Sequence, residues 1–105
     1  MDIKTTRKEE LIDITEDVAD ELKRSGIKEG TCLIYCPHTT AGLTINENAD
    51  PDVKHDILMG LDDMVKDLDY KHSEGNSKAH IKSSLVGKSL NLIIKDGSLV
   101  LGTWG

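Results

Sequence analysis

Asp96-Gly97 stands between Ser89–Lys95 and Ser98–Leu101, and no other feature limits the folding of this chain so tightly. Such a pair between two strand-like runs forms a tight reversing turn, because left-handed backbone is cheap for Gly and tolerated by Asp. The chain is therefore predicted to contain an antiparallel hairpin of those two runs. A second firm signal is Asp50-Pro51, where Asp suits the N-cap of a helix and Pro its first position. Val53, Ile57, Leu61 and Val65 then recur every four residues and mark the buried face. His55 falls off that stripe and is expected in solvent.

Further elements follow from the same signals. Ile14, Val18 and Leu22 give a first helix one apolar stripe, with Asp13 or Thr15 as its cap. Glu16 and Asp17 suit its positive end, and Gly26 after Lys23-Arg24 is its stop. Thr31–Pro37 reads as a strand apolar on both faces, hence central in a sheet. Leu43–Asn46 reads as another strand, Asp2–Thr6 and Glu9–Asp13 as short extended segments, and Ser77–Leu85 as a short helix.

The 105 residues fit one domain. With no Phe and few aromatics, the core rests on Ile, Leu, Val and Met. A stacking platform for nucleic-acid bases is not expected, and the net charge of −6 opposes binding to phosphate backbones. No apolar run is long enough to span a bilayer, and Met1-Asp2-Ile3-Lys4 does not read as a signal peptide. Cys32 and Cys36 share a strand face roughly 13 Å apart, too far for a disulfide. Reduced thiols point to the cytoplasm.

Chemistry concentrates in three polar stretches. His38, His72 and His80 lie in turns or loops, and the glycine-containing stretch between the last two allows a chain reversal that would join them. Imidazole is the commonest metal ligand, and Glu47, Asp56 and Glu74 offer carboxylates. The plainer alternative is three solvated or hydrogen-bonded histidines. Thr39-Thr40-Ala41-Gly42 offers two hydroxyls and successive N–H groups that can nest a phosphate, or forms a plain turn. Asp50 is accounted for as a cap, but Asn46 and Glu47 have no such local role. Cys36 reads as a small core residue, and Ser83-Ser84 has no nucleophile pattern around it. Trp104 either packs as a core or edge residue or anchors a pocket or subunit contact.

Three stretches together resemble one family. They are Pro37-His38-Thr39-Thr40-Ala41-Gly42-Leu43-Thr44-Ile45-Asn46-Glu47-Asn48-Ala49-Asp50-Pro51-Asp52-Val53, then His72-Ser73-Glu74-Gly75-Asn76-Ser77-Lys78-Ala79-His80-Ile81-Lys82-Ser83-Ser84-Leu85, then Ser89 through Gly97 with Gly102-Thr103-Trp104. In this order they resemble the YjbQ family, described as secondary thiamine-phosphate synthases. The resemblance implies a single α+β domain, with a mixed, largely antiparallel sheet packed with helices, assembled as a homotrimer with a site between subunits. It implies His38, His72 and His80 as ligands of a divalent metal, zinc first and magnesium second. Asn46, Glu47 and Asn76 fall in the same motifs and are the implied catalytic residues, with Glu47 as base or metal ligand. Thr39, Thr40 and Gly42 would seat the phosphate of a small metabolite. The family pattern runs on from Gly-Thr-Trp-Gln into an apolar strand; here Gly105 stands in the Gln position, so residues 1–105 are expected to lack that strand.

The implied reaction joins hydroxymethylpyrimidine diphosphate to a thiazole phosphate and releases pyrophosphate. Two rivals remain: another metal-dependent reaction of a phosphorylated metabolite, such as hydrolysis, and a non-catalytic trimer stapled by metal.

Overall fold

Two strands paired antiparallel over six positions form the spine of the molecule. In the computed structural model, which describes all residues from Met1 to Gly105, β1 (Gly30–Tyr35) runs against β2 (Ser89–Lys95) from Gly30↔Ile94 to Tyr35↔Ser89. The Cys36 N–H donates to the Lys88 carbonyl at 2.8 Å and carries the pairing one residue further. The chain then reverses through Asp96 (φ 52°) and Gly97 (φ 78°), both left-handed, as the Asp-Gly signal requires. The returning strand β3 (Ser98–Leu99) is shorter than expected, and the sheet order is β1-β2-β3.

Three helices complete the α+β domain. The first, α1 (Thr15–Ser25), buries Val18 and Leu22 and lies against the hairpin, with Ala19, Leu22, Leu99 and Leu101 lining the cleft between them. It ends at Gly26, whose φ of 71° is the left-handed stop. The second, α2 (Pro51–Met64), starts where Asp50 accepts the Asp52 N–H at 2.9 Å. The third, α3 (Ser77–Val86), closely matches the segment read from the sequence. Lys78 reaches Asp62 at 2.9 Å and Lys82 reaches it at 3.0 Å, so α3 is tied to α2 by a shared carboxylate. Hydrogen bonds from Lys78 and then Lys82 hold the Asp62 carboxyl below its ordinary range. Lys82 also pairs with Glu9. No helix is long and apolar enough to cross a membrane.

Four expectations are corrected. Asp2–Thr6 and Glu9–Asp13 form no strand. The Glu10 carboxylate accepts the N–H groups of Thr6 at 2.8 Å and Arg7 at 2.6 Å, a local arrangement in place of a ladder. Leu43–Asn46 is also not a strand; the Leu43 N–H meets the Gly87 carbonyl at 3.0 Å, but no ladder follows. The strand after Thr31 begins and ends earlier than read and is an edge strand rather than a central one. Its two apolar faces follow from the side chains, but within this chain only β2 pairs with it.

That edge position leaves one sheet face open. Cys32, Ile34, Leu90, Leu92 and Ile94 lie on the more covered face, whereas Leu33 (70% exposed), Tyr35 (65%) and Ile93 (60%) face outward. Only Val18, Leu22, Val65, Ile94 and Ser83 are buried. The radius of gyration is 15.6 Å, against about 13 Å for a compact domain of this length. The molecule spans 50 × 27 × 22 Å.

Asp13 fastens the entry to α1. Its carboxylate accepts from the Thr15 hydroxyl at 2.6 Å and the Thr15 N–H at 2.9 Å, and from the Asn48 amide at 2.6 Å. These bonds, Thr15 first, lower its pKa from 3.8 to about 2. A depressed folded-state value stabilises the protein above the unfolded pKa of about 4, and that contribution is lost as pH falls toward about 2. Asp13→Asn is expected to flatten this acid limb in urea unfolding followed between pH 5 and pH 2. An unchanged limb would contradict the assignment.

Candidate functional site

The β1–β2 register fixes where the polar loop leaves the sheet. Tyr35↔Ser89 places Cys36 opposite Lys88, so residues 37–42 emerge beside the turn that joins α3 to β2. Two side chains hold the loop there. The Lys88 ammonium donates to the His38 carbonyl at 2.7 Å and also to the Ala41 carbonyl. The buried Ser83 hydroxyl lies 2.6 Å from the Thr39 carbonyl and 3.0 Å from the His80 carbonyl, so one proton is shared between loop and helix. Thr39 and Thr40 form the turn, and the whole loop is exposed.

Gly42 is required by close approach. A Cβ there would stand 2.8 Å from the Gly87 carbonyl oxygen and 3.0 Å from Val86 Cγ1. The loop therefore rests directly on the backbone at the end of α3. Thr39, Thr40 and Gly42 share one loop, as the sequence indicates.

The chain reversal expected between His72 and His80 is present. It passes through Gly75, at φ 78°, and brings the two rings to a centroid separation of 5.3 Å at 88°. This edge-to-face arrangement is one that aromatic rings prefer. Asn76 sits between them at the start of α3, and its backbone carbonyl accepts the His80 N–H at 3.3 Å. Its side-chain oxygen Oδ1 is buried without a hydrogen-bond partner. An orphan acceptor of this kind calls for a donor or a cation.

The other candidates stand apart. The His38 side chain is exposed and makes no hydrogen bond to the imidazole pair. Asn46 accepts the Glu47 N–H at 2.7 Å, a local contact. Asn48 ties this segment to Asp13 and, through its N–H, to the Trp104 carbonyl at 2.7 Å. The Trp104 side chain is exposed, so the core-residue alternative does not hold. His55 is in solvent as expected, 3.1 Å from Asp56, and both cysteines are free.

No three His, Cys, Asp or Glu side chains converge as a metal site within the chain. A zinc ion takes four ligands, at least three from protein. One copy brings together two imidazoles and does not complete that shell.

Sequence reasoning missed Lys88 and the loop-holding role of Ser83. A lone Lys after Gly87 at the head of an apolar strand is the signal for the first, readable only once the register is known. The Ser83 hydroxyl, read as no nucleophile, is turned to the Thr39 and His80 carbonyls and holds the loop.

Comparison with known proteins decides the lineage. The family model for UPF0047 protein YjbQ-like matches residues 1–105. The chain belongs to the UPF0047 YjbQ-like family. UPF0047 protein YugU of Bacillus subtilis is 55% identical over 107 residues, covering 99% of this chain and 80% of that protein. UPF0047 protein MJ1081 of Methanocaldococcus jannaschii is 57% identical over 103 residues, covering 97% and 75%. The crystal structure of an uncharacterized YjbQ/UPF0047 protein from Clostridium acetobutylicum superposes with a TM-score of 0.94 at 54% identity, covering 97% of this chain and 80% of that one. A YbjQ-like protein of unknown function from Sulfolobus solfataricus gives 0.88 at 32% identity, covering 97% and 75%. The α+β architecture is thus that of the YjbQ-like fold.

Gly42→Ala tests the loop's seat on α3. The contact with the Gly87 carbonyl is expected to cost about 1–3 kcal/mol in urea unfolding, the usual range for overpacking. Wild-type stability in this variant would mean that the loop does not rest there.

Proposed function

We propose that this protein is a transferase acting on small phosphorylated metabolites, joining hydroxymethylpyrimidine diphosphate to a thiazole phosphate with release of pyrophosphate. The observation that carries this reading is the Ser83 hydroxyl, which contacts the backbone carbonyls of Thr39 and His80 and so ties the candidate phosphate loop to the helix that carries His80. A seat for a phosphate thereby rests on the same helix as one of the two imidazoles.

In this reaction the thiazole nitrogen attacks the pyrimidine methylene carbon. A carbon–nitrogen bond forms, the carbon–oxygen bond to the diphosphate breaks, and the electron pair leaves with pyrophosphate. The nucleophilic nitrogen has no proton to lose, so the demand falls on the leaving group. Loop N–H groups at Thr39–Gly42 stabilise its developing charge, and a divalent ion held by His38, His72 and His80 would help to neutralise it. Asn76 orients a bound group through its unpaired Oδ1.

The reading assigns the complete site to a homotrimer. A single chain leaves an apolar sheet face open and buries five residues, which favours association between copies. Asn46 and Glu47 then serve a neighbouring copy's loop, where the Glu47 carboxylate balances positive charge at the methylene carbon. A divalent metal, zinc first and magnesium second, belongs to this reading as an ion whose shell is completed across copies by His38. No nucleic acid or membrane partner is included, and the cytoplasm is the proposed compartment.

Purified protein of measured oligomer mass and metal content is expected to form thiamine phosphate from the two substrates. His80→Ala is expected to lower the rate at least about 100-fold, a common effect of losing electrostatic stabilisation of a developing charge. No product above background from metal-loaded trimer would refute the synthase assignment.

A further inference from the structure

The loop that carries Thr39 and Thr40 has its two kinds of backbone group in opposite conditions. Its carbonyls are occupied: those of His38 and Ala41 accept from Lys88, and that of Thr39 accepts from Ser83. Its N–H groups are not. None from His38 through Gly42 makes a well-formed hydrogen bond to the protein, although Cys36 and Leu43 on either side do. Both threonine hydroxyls are likewise unengaged, and the loop is exposed, so these donors can meet a ligand.

Lys88 shares this condition. An ammonium group has three donors, and two of them are spent on the loop carbonyls. No carboxylate forms an ion pair with it, whereas Lys78 and Lys82 are both neutralised by acids. Its backbone is held by the Cys36 N–H next to the last strand pair, and its ammonium by the two loop carbonyls. A fixed, unneutralised cation with a donor to spare therefore stands against a loop of unpaired N–H groups. An anion on the amides of so short a loop lies close to that charge, and physiological salt largely screens charges only beyond about 8 Å.

We propose that Lys88 is a phosphate-binding residue, fastening the His38–Gly42 loop through its carbonyls and offering its remaining donor and its charge to a phosphoryl group held by the loop amides. This rests on the reading of the loop as a phosphate seat and adds the cation that the seat needs. Loop amides alone are neutral dipoles and discriminate weakly between a phosphate and other polar groups. A charge-assisted donor selects the doubly ionised phosphoryl end of a metabolite.

The test is a titration of the full ¹⁵N-labelled chain with inorganic pyrophosphate, following the amides of Thr39–Gly42 and the Lys88 Nζ resonance together. Both are expected to shift along one saturation curve. Lys88→Met is expected to weaken binding about tenfold or more, the loss of one charge-assisted hydrogen bond. It should also shallow the salt dependence by about one ion. If this variant does not fold, the Lys88 resonance in the wild type decides. Loop amides that shift while Lys88 stays unmoved, or a folded Lys88→Met with wild-type affinity, would overturn the role of Lys88 and leave the phosphate seat standing. If no loop amide responds, the phosphate seat itself fails and this proposal falls with it.

Discussion

The antiparallel register between β1 and β2 is the constraint on which the rest of the molecule depends. Side chains on a strand alternate between faces, so a shift of one position would turn Ile94 outward and bring Ile93 in. The same shift would move Cys36 away from Lys88 and carry the polar loop off the end of α3. Core and candidate site are thus fixed by one set of backbone bonds. The hairpin at Asp96-Gly97 pins one end of β2, and the Lys88–Cys36 bond closes the other.

Local signals in the sequence proved legible wherever one residue dictates backbone conformation. Gly26, Asp50-Pro51 and Asp96-Gly97 each act through φ preference or a missing N–H, and each boundary lies where it was read. Strands were less legible because a strand is defined by its partner. Asp2–Thr6, Glu9–Asp13 and Leu43–Asn46 have extended-type composition but find no ladder, and Thr31–Tyr35 has a central strand's composition at a sheet edge. Within the site, the approach of His72 to His80 was readable because Gly75 lies on a short reversal. Lys88 and Ser83 were not, since both act across more than forty residues of sequence through a register that pattern alone does not provide.

The physical character of a single copy bears on what the site requires. Leu33, Tyr35 and Ile93 form an outward apolar face on an edge strand, and the chain is longer than a compact domain of this size. The polar candidates divide in the same way. Asn76, His72 and His80 gather at the start of α3 and Thr39 lies in the loop seated further along it, whereas Asn46 and Glu47 stand beside Asn48, which is tied to Asp13 and Trp104. Within one copy the apolar face stays open and the two groups of polar residues stay apart.

Amide hydrogen exchange of the free protein tests the loop arrangement most directly. The account predicts slow exchange at Cys36 and Leu43, whose N–H groups are bonded to Lys88 and Gly87, and fast exchange at every amide from His38 to Gly42 between them. Uniform protection across the whole stretch, or fast exchange at Cys36 and Leu43, would contradict a loop held by its carbonyls with its N–H groups open.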